Sequence, residues 1–231
     1  MEIEESQEET AEKIAQKFSI NLEKLRKEQI ELSKQLSLKD SFKKEDVNLV
    51  AGCDCAYSGN MIICAIVVLD KNFEIVEEKF ASRRVSFPYI PGYTAYRELP
   101  AMIECYEKLE ESPDVFMILG EGVLHPRKLG IASHFGIVIG KPTIGISNAV
   151  NIGTIKNGIV YIDDEKRGQE VLTKEGSRPI IISPGNMITL KTACEVVKMF
   201  VKEPHKLPEP LNAAHKHSNE IRGELNANIN S

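Results

Sequence analysis

The sequence predicts an α/β fold in which a mixed sheet is flanked by helices. Three observations carry this expectation. Three extended runs between residues 47 and 85 are joined by only two tight turns, the pattern of an antiparallel meander. Helical and strand-like runs then alternate from Thr94 to Ser147. Finally, the apolar run Val115 to Leu119 breaks into Gly120-Glu121-Gly122, and open α/β sheets bind ligands at the carboxyl ends of their strands.

The chain of 231 residues fits one generous domain with an arm. We divide it into a helical arm over residues 1–40, packed on a body over residues 41–223, and a polar tail over residues 224–231. A composition of 42% hydrophobic and 27% charged residues is that of a globular protein. The net charge of -5 argues against a globally basic nucleic-acid coat but leaves room for a local basic groove. The five cysteines show no C-x-x-C spacing and read as reduced, buried thiols of a cytosolic protein rather than a zinc site. The acidic start MEIEESQEET is neither a signal nor a transit peptide. No apolar run approaches the ~20 residues of a membrane span. A cytoplasmic monomer without membrane contact is expected.

Residues 1 to about 9 read as a frayed acidic end. Apolar residues from Ile14 to Leu36 recur at helical spacing, with a break near Ser19-Ile20-Asn21. Val47 to Tyr57, Met61 to Asp70 and Glu74 to Val85 are the three meander strands, turning at Ser58-Gly59-Asn60 and Lys71-Asn72. Phe87 to Gly92 cannot be regular, because Pro88 and Pro91 each remove a donor and restrict the residue before them. Thr94 is the expected N-cap of a helix with a core face at Leu99, Met102, Ile103, Tyr106 and Leu109. After the glycine loop come a short helix and a strand over Pro142 to Ile146. Short strands follow around Asn157-Gly158, then a strand over Arg178 to Ser183 ending in Pro184-Gly185-Asn186. Thr189 to Val201 and Leu207 to about Arg222 are helical. This order of elements is the one ribonuclease-H-like folds show.

Asp54 is the polar residue of an otherwise apolar strand, and alternation turns it away from Cys53 and Cys55. A buried carboxylate is costly unless it is paired or bound to metal. Glu98 lies in the first turns of its helix, where its charge also suits the dipole. Together, Asp54 and Glu98 suggest a Mg²⁺ or Mn²⁺ site, since hard cations take carboxylate oxygens and phosphodiester hydrolysis uses a metal to activate water.

The blocks AGCDCAY, PYIPGYTAYRELPA, GEGVLHPRKLGIASHFGIVIGKPTIGIS, ISPGN and LPEPLNAAH resemble, in order and spacing, the endonuclease V family of deoxyinosine 3′-endonucleases. The resemblance covers about Leu22 to Arg222. It implies a ribonuclease-H-like fold, action on DNA or RNA containing inosine, and a strand-separating wedge at Pro88, Tyr89, Ile90 and Pro91. It further implies a pocket for the flipped base at Gly92, Gly120, Gly122, Gly130 and Ile131. A mispaired inosine is cheap to extrude, and its edge cannot be read inside the stack. Asp54 and Glu98 match the family's metal carboxylates, and His125 matches the His of its H-P-R motif; these three are the expected catalytic residues.

The resemblance also exposes departures. Leu119 stands where the family has a third metal-binding Asp. Asn148, Asn186 and Asn212 stand where it has Lys, His and Arg. If β-alternation continues, Glu121 faces the same way as Leu119 and could supply the third metal ligand, or it could be a solvated loop residue. Arg83-Arg84 and Arg127-Lys128 are candidate phosphate contacts or simply basic edges. His134 reads as a core histidine, and His215 and His217 as surface or capping residues. Two functions remain open: a metal-dependent endonuclease, and a catalytically silent relative that still binds nucleic acid.

Overall fold

The computed structural model describes the backbone of residues 2–229 and the side chains of residues 8–227. The meander is present as β1 (Val50–Ser58), β2 (Met61–Leu69) and β3 (Ile75–Arg84). β4 (Val115–Leu119) and β5 (Thr143–Ser147) run parallel to β1. β6 (Thr154–Lys156), β7 (Ile159–Ile162), β8 (Glu165–Val171) and β9 (Ile180–Asn186) extend the sheet antiparallel. The strand order is β3-β2-β1-β4-β5-β9-β8-β7-β6. The helices are α1 (Glu2–Lys17), α2 (Leu22–Ser33), α3 (Thr94–Tyr106), α4 (Ile131–Ile139), α5 (Leu190–Met199) and α6 (Glu209–Ile229).

Strand alternation divides the interior into two cores. Ala51, Cys53, Phe116 and Ile118 meet α3 and α4 on one face. Val50, Met117, Ile144 and Ile182 meet α5 and α6 on the other. Each fully buried side chain of this kind contributes about 1.5–3 kcal/mol. The helix α6 lies directly on β1, and a Cβ at Gly52 would overlap the Pro210 carbonyl. A third, smaller cluster joins the arm to the body: Ala11, Ala15 and Leu22 pack against Ile90 and Tyr93.

Several expected boundaries shift. The acidic start is helical from Glu2, so the frayed end is corrected; Met1 lies outside the described residues. The break at residues 18–21 is present, with Ser19 at φ +55° and Asn21 capping α2 through the Lys24 amide. Thr94 is the first helical residue and not the cap; Tyr93 holds the cap position without a side-chain bond. β9 runs on through Pro184-Gly185-Asn186, where a register shift opposite Thr143 and Ile144 accommodates a residue that cannot donate to the ladder. The expected polar tail is helical as far as Ile229, and residues 230–231 lie outside the described residues. Among the described residues no helix is long and apolar enough to cross a membrane, and all five cysteines are free.

Candidate active site

The pairing of β1 with β4 ends at Cys53 and Ile118, so Asp54 stands where the two strands part. Its neighbours Cys53 and Cys55 face α3, and Asp54 faces α6 as alternation predicts. The carboxylate is only 7% exposed. Its Oδ2 lies 2.8 Å from Nδ1 of His215 and 3.5 Å from Oγ of Ser218, both on α6. Burial raises the Asp54 pKa above its ordinary value, opposed by the bonds from His215, the Cys55 amide and Ser218. The other imidazole nitrogen, Nε2, lies 3.4 Å from the Asn219 side-chain amide nitrogen. A carboxylate on Nδ1 and an amide donor at Nε2 favour the tautomer with its proton on Nδ1. His215 is exposed, as expected, and is also a partner of Asp54. Its signal was present in sequence: His215, Ser218 and Asn219 share one helical face.

Glu98 approaches from α3. Its Oε1 accepts a 2.6 Å bond from the Tyr57 hydroxyl, which in turn accepts from Nε of Arg97 at 3.2 Å. The Arg97 guanidinium covers the Tyr57 ring at 4.8 Å and donates to the Phe87 carbonyl at 2.7 Å, tying this site to the proline-rich loop. Burial pushes Glu98 up to about 6, and the Asp54 charge adds to the shift. Two desolvated carboxylates, one of them held up further by the charge of the other, are what a hard dication relieves. Magnesium ordinarily takes one or two carboxylates and completes its shell with water and phosphate oxygens. Asp54 and Glu98 fit such a cation.

Glu121 is not brought to that pair. Its Oε1 accepts from Nδ2 of Asn151 at 2.9 Å, and its side chain lines a cleft. Among the described residues no three His, Cys, Asp or Glu side chains stand together as a metal-binding group. Leu119 packs against the apolar core under α5 and α6.

The cleft has a volume of about 440 Å³. Tyr89, Pro91 and Gly92 line one side of it; Glu121, His125, Asn151 and Ile152 line another. The four residues of the expected wedge differ in exposure. Tyr89 is 60% exposed, whereas Ile90 is fully buried in the cluster formed with α1 and α2. Gly92, at φ +76°, turns its carbonyl inward, where His125 Nε2 lies at 3.0 Å and Arg127 Nη2 at 3.1 Å. His125 Nδ1 accepts from the Arg127 amide at 3.2 Å, so both ring nitrogens are engaged within the chain. Burial and the Arg127 charge hold His125 down to about 3, and the ring is neutral.

The other expected pocket glycines have packing reasons of their own. A Cβ at Gly122 would meet the Pro184 carbonyl, one at Gly130 the Glu121 carbonyl, and one at Gly120 the buried Ile131 side chain. The glycine loop also satisfies the start of α4, whose Ala132 amide donates to Glu121 O at 3.0 Å.

The family model described as Endonuclease V matches residues 30–216. The endonuclease V of Thermosipho melanesiensis is 39% identical over 210 residues, covering 87% of this chain and 92% of its own. The chain belongs to the endonuclease V family. The Bacillus subtilis endonuclease V structure superposes with a TM-score of 0.83 at 30% identity, covering 90% of this chain and 94% of that one. The Ciona intestinalis endonuclease V, in complex with a 24mer DNA containing an inosine followed by a ribo-adenosine, superposes at 0.80 with 25% identity. That comparison covers 88% of this chain and 98% of the Ciona chain.

Within this endonuclease V fold the expected departures have structural roles. Asn186 is buried; it accepts from the Ser37 amide at 3.1 Å and donates to the Gly136 carbonyl at 3.1 Å, joining the arm's end to β9 and α4. Asn148 accepts a 2.9 Å bond from Nζ of Lys206. Asn212 lies 3.1 Å from Nδ1 of His205, which is 2.6 Å from Glu209. Basic groups thus reach Asn148 and Asn212 from the loop between α5 and α6. Arg127 serves as an internal clamp: it donates to Gln29 at 2.6 Å and covers the Tyr93 ring at 4.8 Å. Lys128 is paired with Glu165 at 2.7 Å, and Arg83 lies 3.6 Å from Glu104. His134 is buried against Tyr96, as a core histidine should be.

Proposed function

We propose that this protein is a metal-dependent endonuclease that hydrolyses a phosphodiester 3′ to inosine in DNA or RNA, in nucleic-acid repair. The observation that carries the reading is the Asp54–His215 pair, 2.8 Å apart, in which a buried carboxylate meets an exposed imidazole. The DNA bound to the Ciona relative supports inosine as the element recognised. Tyr89, exposed on a loop anchored by Ile90, enters the stack as the inosine is turned out into the cleft. Asp54 and Glu98 would hold Mg²⁺ or Mn²⁺, which supplies Lewis acidity toward the phosphate and lowers the pKa of water. His215, fixed by Asp54 through Nδ1, presents Nε2 to take the proton of the attacking water. The products carry a 3′-hydroxyl and a 5′-phosphate.

A second reading, a silent nucleic-acid binder, is favoured by one observation. Leu119 is committed to an apolar core and cannot ligate a metal. Incubation of the purified chain with inosine-containing DNA and RNA plus Mg²⁺ or Mn²⁺, beside Asp54→Asn and Leu119→Asp, separates the two. Cleavage that Asp54→Asn abolishes supports the enzyme. Tight inosine binding without cleavage, with cleavage gained in Leu119→Asp, establishes the silent binder. Absence of inosine-dependent binding overturns both.

A further inference from the structure

We propose that Tyr57 is a positioning residue that couples the proline-rich loop to the carboxylate of Glu98, so that a cation held by Asp54 and Glu98 and the setting of the Tyr89 loop each stabilise the other. This rests on the metal-dependent reading above and goes beyond it.

Strand β1 supplies both sides of the arrangement. Asp54 and Tyr57 are three residues apart, and an odd offset turns them to opposite faces of the sheet. Asp54 faces α6 and meets His215. Tyr57 faces α3 and packs, partly buried, against the core beneath that helix. Its hydroxyl ends between Arg97 and Glu98. These two are neighbours in α3, and adjacent helical residues do not face each other. The hydroxyl bridges them: it donates to Glu98 Oε1 at 2.6 Å and accepts from Arg97 Nε at 3.2 Å. A hydroxyl that accepts from a guanidinium is polarised and donates more strongly to its next partner. The bond selects one setting of the Glu98 side chain through Oε1 and leaves Oε2 to a cation.

The chain of bonds continues to the loop. Nη1 of Arg97 donates to the Phe87 carbonyl at 2.7 Å, and the guanidinium lies over the Tyr57 ring at 4.8 Å. A guanidinium is a rigid plane, so Nε and Nη1 move together. Phe87 directly precedes Pro88, which restricts its backbone, so its carbonyl follows the course of the proline loop. The Phe87 ring packs on Tyr96 at 5.7 Å, and Ile90 is buried in the same cluster, with the exposed Tyr89 standing out between them. A shift of the loop thus reaches Glu98 through the bonds of Arg97 and Tyr57, and a cation that fixes Glu98 fixes the loop in return, since such coupling is reciprocal.

The sequence has no Trp, so Tyr89→Trp places a single fluorescent reporter at the exposed tip of the loop. The full chain carrying it is titrated with Mg²⁺ in the absence of nucleic acid, and Mn²⁺ affinity is measured from the paramagnetic resonance signal of the free ion. Mg²⁺ should shift the Trp emission, and Asp54→Asn should remove the shift. Tyr57→Phe keeps the ring under Arg97 and removes only the hydroxyl. It should weaken Mn²⁺ binding by about tenfold, the worth of one hydrogen bond to a charged group, and abolish the emission shift even at saturating Mg²⁺. Arg97→Lys keeps the charge without the planar fork and should also abolish the shift. Thermal melting confirms that each variant folds. Cation binding by the reporter chain with no emission shift overturns the coupling. Parental Mn²⁺ affinity and a parental shift in Tyr57→Phe overturn it too, and reduce Tyr57 to a packing residue. A chain that binds neither cation overturns the metal-dependent reading itself, a separate result.

Discussion

Nδ1 of His215 lies 2.8 Å from Oδ2 of Asp54, although 161 residues separate them in the chain. The contact joins the central strand to the last helix at the point where β1 and β4 diverge. The imidazole is half-exposed, and the side-chain nitrogen of Asn219 lies 3.4 Å from its Nε2.

The first prediction concerns that nitrogen. His215→Ala should lower the rate of cleavage by about 10²–10⁴-fold, the usual value of a general base, while inosine binding persists. Single-turnover kinetics beside a binding isotherm checks this. A parallel collapse of binding would assign His215 to substrate contact.

The wedge should divide by residue. Ile90→Ala opens a cavity in the cluster beneath α1 and α2 and should cost about 2–5 kcal/mol of stability. Tyr89→Ala removes an exposed ring and should leave stability within about 0.5 kcal/mol. It should nevertheless weaken binding to duplex more than to single-stranded inosine substrates. Denaturant titration and binding to the two forms test the contrast.

The buried His125 sets a pH dependence. Its folded-state pKa, about 3, lies below its ordinary value of 6.5, so the unfolded chain binds the extra proton first as pH falls. Its contribution to stability is complete above about pH 6.5 and is lost progressively toward pH 3. His125→Gln should flatten the fall of melting temperature with acid over that window. An unchanged slope would show that His125 does not titrate on unfolding.

Lys206 lies 2.9 Å from Asn148, just past the end of β5, and is expected to meet a phosphate of the bound strand. Lys206→Gln should weaken binding uniformly across sequences and reduce the slope of log affinity against log salt by about 1. An unchanged slope would confine Lys206 to its bond with Asn148.

The meander, the parallel strands and the placement of Asp54 away from Cys53 and Cys55 were legible because they depend on local alternation and turn chemistry. The β9 extension was not, because Pro184-Gly185 has the look of a loop until β5 supplies a shifted register. Alternation suggested that Glu121 would follow Leu119 toward the metal site. Gly120 at φ +153° ends the strand, and the side chain turns to Asn151 instead. His215 was missed because its role depends on a contact across the whole chain, although the helical face it shares with Ser218 and Asn219 was readable. The charge of the arginine at position 127 is visible in sequence, as either a phosphate contact or a basic edge, whereas its bonds to Gln29 and Gly92 and its place over the Tyr93 ring are not.

The burial of Ile90 against α1 and α2 has a practical consequence for anyone choosing fragment boundaries. The family match begins at residue 30, after Ala11, Ala15 and Leu22, the three arm residues that form the floor under the proline loop. A fragment trimmed to the matched region would keep Asp54, Glu98 and Glu121 and the whole glycine loop, yet leave Tyr89 mounted on a loop whose foundation had been cut away.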